Sequence, residues 1–581
     1  MPQLPALTPG RVTRLVTEVF SGYDHELKIP DGALYDTLNL SGSDYPLLAT
    51  RPRRAVKTTL REPGGLLGKD ALCHVDRGTL YINGLPTALT GLAPGEKQLV
   101  SMGATIVVFP DKRYCNTEDP ADFGSLEADW SVTGEIRYAP CDIDGNVYAI
   151  GAVSAQAPAD PQNGEYWLDS AGGTLMVYSA AQLSWTAVET VYTRVTFPTQ
   201  GQLPALFAQG DGVEITGLNG ETLNGTKVLC ALGGETERTD DYLVLIGPAR
   251  AAFSERGTVR VRRRVPDMDF VCECQNRLWG CFYGWDGTQT LNEIYCSALG
   301  DFKNWRQYQG LATDSWTASV GSDGPWTGAI NYLGHPTFFK EERIHTVTVS
   351  ALGAHRLDET VCRGVQRGSH RSLAVAGETL FYKSRSDVCA WQGGFPQSVS
   401  AALGGEQYCG AVGGVLGNTY YLSMRSLSGD WSLFTYDIQR GLWYREDGLH
   451  ATCFAQAEGE LWCLDDLGRL LAMTGREGER EEELSWAFET GLLGYELPDK
   501  KYLSRYDLRL RMADGGRCEL WMEYDSSGEW VESGTVTFHG TGTATVPVRP
   551  RRCDHLRLRV TGTGEMKLFS IARNLEVGSD V

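Results

Sequence analysis

The chain is poor in the marks of most catalytic and targeting classes. It has no G-x-S-x-G elbow and no H-E-x-x-H pair, so neither a serine-hydrolase turn nor a zincin helix is indicated. No cysteine pair has C-x-x-C spacing. The fifteen scattered cysteines therefore read as buried reduced thiols of a protein made in the cytoplasm. No 18-residue apolar run is present, so no transmembrane helix is expected. The N-terminus, MPQLPALTPGRVTRLVTEVF, lacks the uninterrupted apolar core of a secretory signal. Basic charge is also short, with a formal net charge of −20. A free-standing DNA-binding domain would be basic. A wall past which DNA slides without sticking is instead acidic, because like charges repel.

Near misses add little. GGLLGKD (Gly64–Asp70) is one residue short of a P-loop, and Asp70 stands where Ser or Thr would bind magnesium. It reads as a turn before a strand. DIDGN (Asp142–Asn146) lacks the Gly and Glu positions of a calcium loop and reads as a tight hairpin turn. Cys272 and Cys274, with Cys281 nearby, would need further metal ligands from elsewhere. SDGPW (Ser322–Trp326) is a weak, unrepeated likeness to the Asp-box of sialidases. The nine histidines form no motif. No catalytic, cofactor-binding or metal-binding set is assigned, and no enzymatic activity is expected.

What is abundant is glycine and aromatic residue. The 581 residues include 68 Gly, 25 Tyr and 15 Trp, with 42% hydrophobic and 22% charged residues. That balance allows a large core, and glycine turns between short aromatic runs indicate an all-β chain. Units of strand, glycine turn and aromatic strand recur, often about 40 residues apart, as in propeller blades. Examples are ALCHVDRGTLYING (Ala71–Gly84), SLAVAGETLFYKSRSDVCAWQGG (Ser372–Gly394) and ATCFAQAEGELWCLDDLGRLLAMTG (Ala451–Gly475). The expected fold is a β-propeller of about seven blades, six or eight being possible, with an inserted β domain and a C-terminal β-sandwich. Residues 1–118 hold an N-terminal segment and the first blades, 119–265 the insertion, 266–475 the remaining blades and 484–581 the sandwich. The acidic run REGEREEE (Arg476–Glu483) reads as a solvated linker. Beyond it Leu508 and Leu510 should face one side of a strand, Arg509 and Arg511 the other.

Basic clusters are few. RGTVRVRRRVPD (Arg256–Asp267) should put Arg260, Arg262 and Arg264 on one strand face. The strip faces phosphates or a partner, or it is a solvated face paired with acidic neighbours, which the charge of −20 favours. RPRR occurs twice, at Arg51–Arg54 and Arg549–Arg552. Either copy, Arg551 and Arg552 included, could dock on an acidic partner surface.

One succession is more specific. NRLWGCFYG (Asn276–Gly284) leads into NEIYCSALGDFKNW (Asn292–Trp305), with Ser297, Gly300, Asp301, Asn304 and Trp305 as its turn motif. FFKEERIHTVTV and CRGVQRGSHRSLAVAGETLFYKSRSDVCAWQGGFPQSVS follow. This succession resembles the β-propeller tail proteins of tailed bacteriophages, nearest in pattern to the tail nozzle and packaged-DNA stabilisation proteins of short-tailed phages. The corresponding stretches are Lys340–Val349, Gly368–Ser372 and Asp387–Gly393. The resemblance covers about 270–400, is loose elsewhere, and does not include the 119–265 insertion.

It implies a virion component assembled in the host cytoplasm. The copies would form a homo-oligomeric ring below the portal or adaptor, which retains packaged DNA and conducts it without reading its sequence. A receptor-binding or baseplate-peripheral tail protein that binds host-surface glycans is the first alternative, and a propeller-fold glycan hydrolase the second. On the residues themselves, Gly300-Asp301 makes a corner, Asn304 caps backbone groups and Trp305 covers a blade edge.

Overall fold

The computed structural model describes residues 12–26, 28–234, 240–350, 353–495, 500–549 and 551–577. The described residues form strands, with three short 3-10 turns and no α-helix. The fold class is the expected one: all-β, with propeller-type blades, an inserted β domain and a C-terminal sandwich. No helix among the described residues is long and apolar enough to cross a membrane.

Among the described residues, seven blade sheets lie outside the insertion and the sandwich. They span 63–86, 98–125, 270–319, 328–361, 374–398, 408–447 and 451–480. Within the first six, each strand pairs with the next in sequence, the order that two-residue glycine turns produce. Asn83-Gly84 and Glu458-Gly459 both hold positive φ at both positions, as the tightest hairpin turns require. Central strands are apolar on both faces; Thr105–Phe109 is buried along its whole length.

The chain divides into two compact units. The first comprises 1–96, 338–345 and 359–581. It holds the blades 63–86, 374–398, 408–447 and 451–480 and the sandwich. The 451–480 blade is completed from far away in sequence: Ala55–Thr59 pairs antiparallel with Arg469–Ala472. That pairing covers an edge that would otherwise be open. The acidic run is part of this blade rather than only a linker, since Glu479 and Arg480 pair with Val56 and Ala55.

The sandwich is built on two long strands, Lys501–Tyr524 and Trp530–Pro547. The first half of Lys501–Tyr524 pairs with Met566–Val577, the second half with Leu556–Thr563. The change of partner falls at a register shift between Met512 and Gly516. Leu508 and Leu510 are buried and Arg509 and Arg511 exposed, as alternation required. Strands of the N-terminal segment join the same sheet: Val12–Thr17 and Leu48–Thr50 pair with Met566–Val577, and Leu34–Leu38 with Ser485–Thr490. Phe20, Leu34, Leu40 and Leu48 share the core of Leu508, Leu520, Leu558 and Ile571.

The second unit comprises 97–337 and 346–358. It holds the blades 98–125 and 270–319 and the insertion. The insertion leaves on Ala128–Cys141 and returns on Phe253–Arg263, which pair over their length. Departure and return are thus adjacent, the condition for inserting a domain without disturbing its host. These strands centre a seven-stranded sheet, and 150–187 form a separate four-stranded one.

Candidate functional site

The turn motif is an internal clasp of the second unit. Ser297, buried, accepts the Leu278 N–H at 3.0 Å. Gly300 takes φ 76° and donates its N–H to the Asn276 carbonyl at 2.9 Å. Asp301 accepts the Lys303 N–H at 2.9 Å, and burial pushes its carboxyl upward. Asn304 differs from expectation. Its side chain reaches into the insertion rather than capping its own turn, accepting the Gly212 N–H at 3.0 Å and donating to the Gly210 carbonyl at 2.9 Å. A Cβ at Gly212 would lie 2.3 Å from the Arg306 backbone, so only glycine permits this approach. Trp305 donates to the Phe302 carbonyl at 3.0 Å. It packs in one core with Val100, Met102, Tyr114, Leu126 and Tyr295.

The later part of the succession is also structural. Ser369 and Ser372 are fully buried. They accept the N–H groups of Ala411, at 3.1 Å, and Lys383, at 2.9 Å. His345, buried on Arg343–Val349, lies 3.1 Å from Glu359. Burial, outweighing Glu359, pushes its imidazole down to about 4 from an ordinary 6.5. The unfolded chain takes up this proton near 6.5 and the folded chain only near 4. Stability is therefore full above about 6.5 and falls as the pH drops toward 4, by about 3 kcal/mol from this residue. In acid titrations followed by intrinsic fluorescence, His345→Gln flattens that loss; identical acid slopes in both proteins contradict the assignment.

The arginine strip resolves into ion pairs. Arg260 pairs with Asp129 and Arg262 with Glu214 at 3.1 Å. Arg264 is exposed just beyond the strand Phe253–Arg263, not on its face. Between them, buried Arg263 meets buried Asp211 at 2.7 Å. Arg551 and Arg552 are exposed, Arg551 over the Tyr524 ring at 4.8 Å. Among the described residues no group of three or more His, Cys, Asp or Glu could hold a metal ion. Twelve of the fifteen cysteines are buried. Asp142 accepts the N–H groups of Asp144 and Asn146, a tight turn as read.

The first RPRR is not a docking cluster. Arg51 and Arg54 are buried and face their own chain. Arg54 reaches Glu446 at 2.6 Å and Asp447 at 2.7 Å. Arg51 reaches Glu481 at 2.8 Å and the Asn39 oxygen at 2.8 Å. Beside them lies a cavity of about 290 Å³, lined by Arg54, Asp447, Arg469 and Glu481 among others. Burial pushes Glu446 up against the pull of Arg54 and Arg51. For Asp447 burial acts the same way, yet Arg54 and Arg51 outweigh it and the carboxyl is lowered. Adjacent carboxyls split in this way can act as acid and base, although Arg54 occupies both here. No local pattern announces the cluster.

A second cavity, of about 250 Å³, is lined by Lys383, Ser386, Asp387, Ser398, Ser400, Glu406 and Tyr408 among others. Lys383 is buried and donates to the Ser384 carbonyl at 2.5 Å. Burial lowers its ammonium to about 8. Asp387 is held by Arg363.

No family model matches the chain, and no curated protein matches it. Among solved structures it is similar to an exo-β-1,3-galactanase from Phanerochaete chrysosporium crystallised with galactose. That match has 9% identity, spans 52% of this chain and 95% of that chain, and has a TM-score of 0.22. An arabinoxylan arabinofuranohydrolase of glycoside hydrolase family 43 from Bacillus subtilis matches at 8% identity, 52% and 94% coverage and TM-score 0.18. A Trypanosoma rangeli sialidase matches at 8% identity, 98% and 96% coverage and TM-score 0.19. The galactanase and the arabinofuranohydrolase are glycoside hydrolases, so the expectation that the chain has no enzymatic activity is not supported. At these scores they assign no substrate.

Proposed function

We propose that the chain is a component of a bacteriophage or prophage-derived tail. It forms a homo-oligomeric ring below the portal or adaptor and helps retain and conduct packaged DNA. The observation that carries this reading is the succession from Asn276 to Ser400. Its turn residues match the tail propeller pattern, and Asn304, Trp305, Ser369 and Ser372 all serve as buried clasps. The net charge of −20 suits a surface past which DNA moves, because it repels phosphate. The exposed Arg551 and Arg552 are the cations offered to an acidic neighbour in the tail. Native mass spectrometry of the purified chain, alone and with its adaptor ring, yields a closed oligomer of fixed copy number. A chain that stays monomeric under both conditions removes the reading.

A second reading is a tail protein that engages host-surface glycans, by binding or by hydrolysis. The Lys383 cavity favours it, since carboxylates and hydroxyls converge there as sugar hydroxyls require. Under this reading the protein labels host cells or releases soluble sugar from host-wall glycan. Asp387→Asn with Glu406→Gln abolishes that activity while the fold is retained. Absence of both labelling and release removes it.

A further inference from the structure

The sandwich carries on its surface a cluster that neither reading uses. The turn 525–529 joins Lys501–Tyr524 to Trp530–Pro547, and residues 553–555 lead into Leu556–Thr563. Asp525 ties the two segments together. Its N–H donates to the His555 carbonyl at 3.0 Å, and its carboxylate accepts the Asp554 N–H at 2.7 Å. Asp525 and Ser526 take φ 52° and 50°, left-handed backbone that is costly for residues other than glycine. The clamp holds this strained turn with the Ser526 side chain against His555.

Ser526 Oγ lies 2.7 Å from His555 Nε2, and His555 Nδ1 lies 2.9 Å from Asp554 Oδ2. The bond from His555 holds the Asp554 carboxyl below its ordinary range. Asp554 is therefore a carboxylate and only accepts, so Nδ1 carries the hydrogen. In the neutral ring Nε2 then keeps its lone pair, and the Ser526 hydroxyl donates to it. A hydroxyl, a base and a carboxylate that orients the base stand in the order that activates a serine. Residues 525–529 are all exposed, so a reactant reaches Ser526 Oγ from solvent. A Cβ at Gly528 would meet nothing within 4 Å. So open a turn encloses no long acyl chain, but it reaches a small acyl group carried on a bulky alcohol.

We infer that Ser526 is a nucleophile toward small acyl esters, with His555 as its base and Asp554 as the residue that positions the base. Ser526 Oγ bonds to the ester carbonyl carbon and its proton passes to His555 Nε2. The bond from that carbon to the alkoxide oxygen breaks, and the alcohol leaves with the proton. Solvent water then attacks the acyl-serine and gives a proton to Nε2. The bond to Oγ breaks, Oγ takes that proton back, and the acid leaves. This site does not depend on the tail reading.

Diisopropyl fluorophosphate and 4-nitrophenyl acetate test the inference on the full chain, with the modified residues mapped by peptide mass spectrometry. The fluorophosphate is expected to phosphorylate Ser526, with loss of fluoride, about a hundredfold faster than Ser527 in the same turn. That factor is the lower end of what a positioned base contributes. His555→Gln is expected to remove the advantage while the unfolding midpoint stays within a few degrees of the parent, because the cluster is at the surface. Asp554→Ala is expected to slow the labelling about tenfold or more, and Asp554→Glu, which keeps a carboxylate, to recover part of it. The acetate is expected to acetylate Ser526 and release 4-nitrophenol. Labelling of Ser526 no faster than of Ser527 overturns the inference, as does undiminished labelling in His555→Gln. Equal rates in Asp554→Ala and Asp554→Glu overturn the role of Asp554. Phosphorylation of Ser526 without its acetylation overturns the ester assignment.

Discussion

Arg54→Met destabilises the first unit by about 3–5 kcal/mol, the range for removing one partner of a buried ion pair. The size follows from what is left behind. Arg54 is the nearest cation to Glu446, at 2.6 Å, while Arg51 stands 3.7 Å away. Glu446 and Arg54 are both buried, so the substitution leaves a buried carboxylate without its nearest cation. Two arginines, Arg51 and Arg54, balance three carboxylates, Glu446, Asp447 and Glu481. One arginine against three leaves a net −2 in place of −1. The loss is read as faster hydrogen exchange in Leu442–Asp447 and in Ala55–Thr59, which the cluster joins. Arg53→Met serves as the control. Arg53 is half-buried and makes a long bond to the Glu482 carbonyl, and its loss costs less than about 1 kcal/mol. Adding Glu446→Gln to Arg54→Met recovers part of the loss, because the stranded charge is then gone. Equal exchange in the Arg53 and Arg54 variants contradicts the account.

Trp305→Ala costs the second unit about 3–5 kcal/mol, as large-to-small changes in a packed aromatic site do. Trp305 is 2% exposed and shares one core with residues of two blades, 98–125 and 270–319. Neighbours held by their own strand pairing cannot collapse into the space it leaves, so the cavity persists. Exchange rises in Thr105–Phe109 and Leu278–Trp285 together. Trp285→Ala, at 65% exposure, changes stability by no more than about 0.5 kcal/mol. If only the 270–319 strands loosen in Trp305→Ala, the residue serves its own blade alone and the clasp is wrong.

These two sites mark what was legible in the sequence. The clasp around Trp305 was readable because turn chemistry is local: glycine at positive φ, a short polar side chain and a large aromatic lie within nine positions, Ser297 to Trp305. Even there the partner of Asn304 was not, since Gly210 and Gly212 are more than ninety positions away. Alternation at Leu508–Arg511 was readable for the same local reason. Arg51 and Arg54 were misread as a docking cluster because their carboxylates lie nearly four hundred or more positions downstream. Periodicity carries no information about which distant acid a basic residue meets. The same limit hid the strand Ala55–Thr59 within the 451–480 blade, and the strands before residue 50 within the sandwich. It also left the Arg260 and Arg262 pairs open, although the charge of the chain already favoured acidic neighbours.

The tail reading is tested most directly by quantitative peptide mass spectrometry on density-purified particles from the producing lysate, with the portal protein as internal standard. The account predicts this chain at a fixed ratio to the portal, that of a ring component. Its absence from particles while it is abundant in the free lysate would contradict the account, and would leave the Lys383 cavity and host-wall glycans as the place to look for its function.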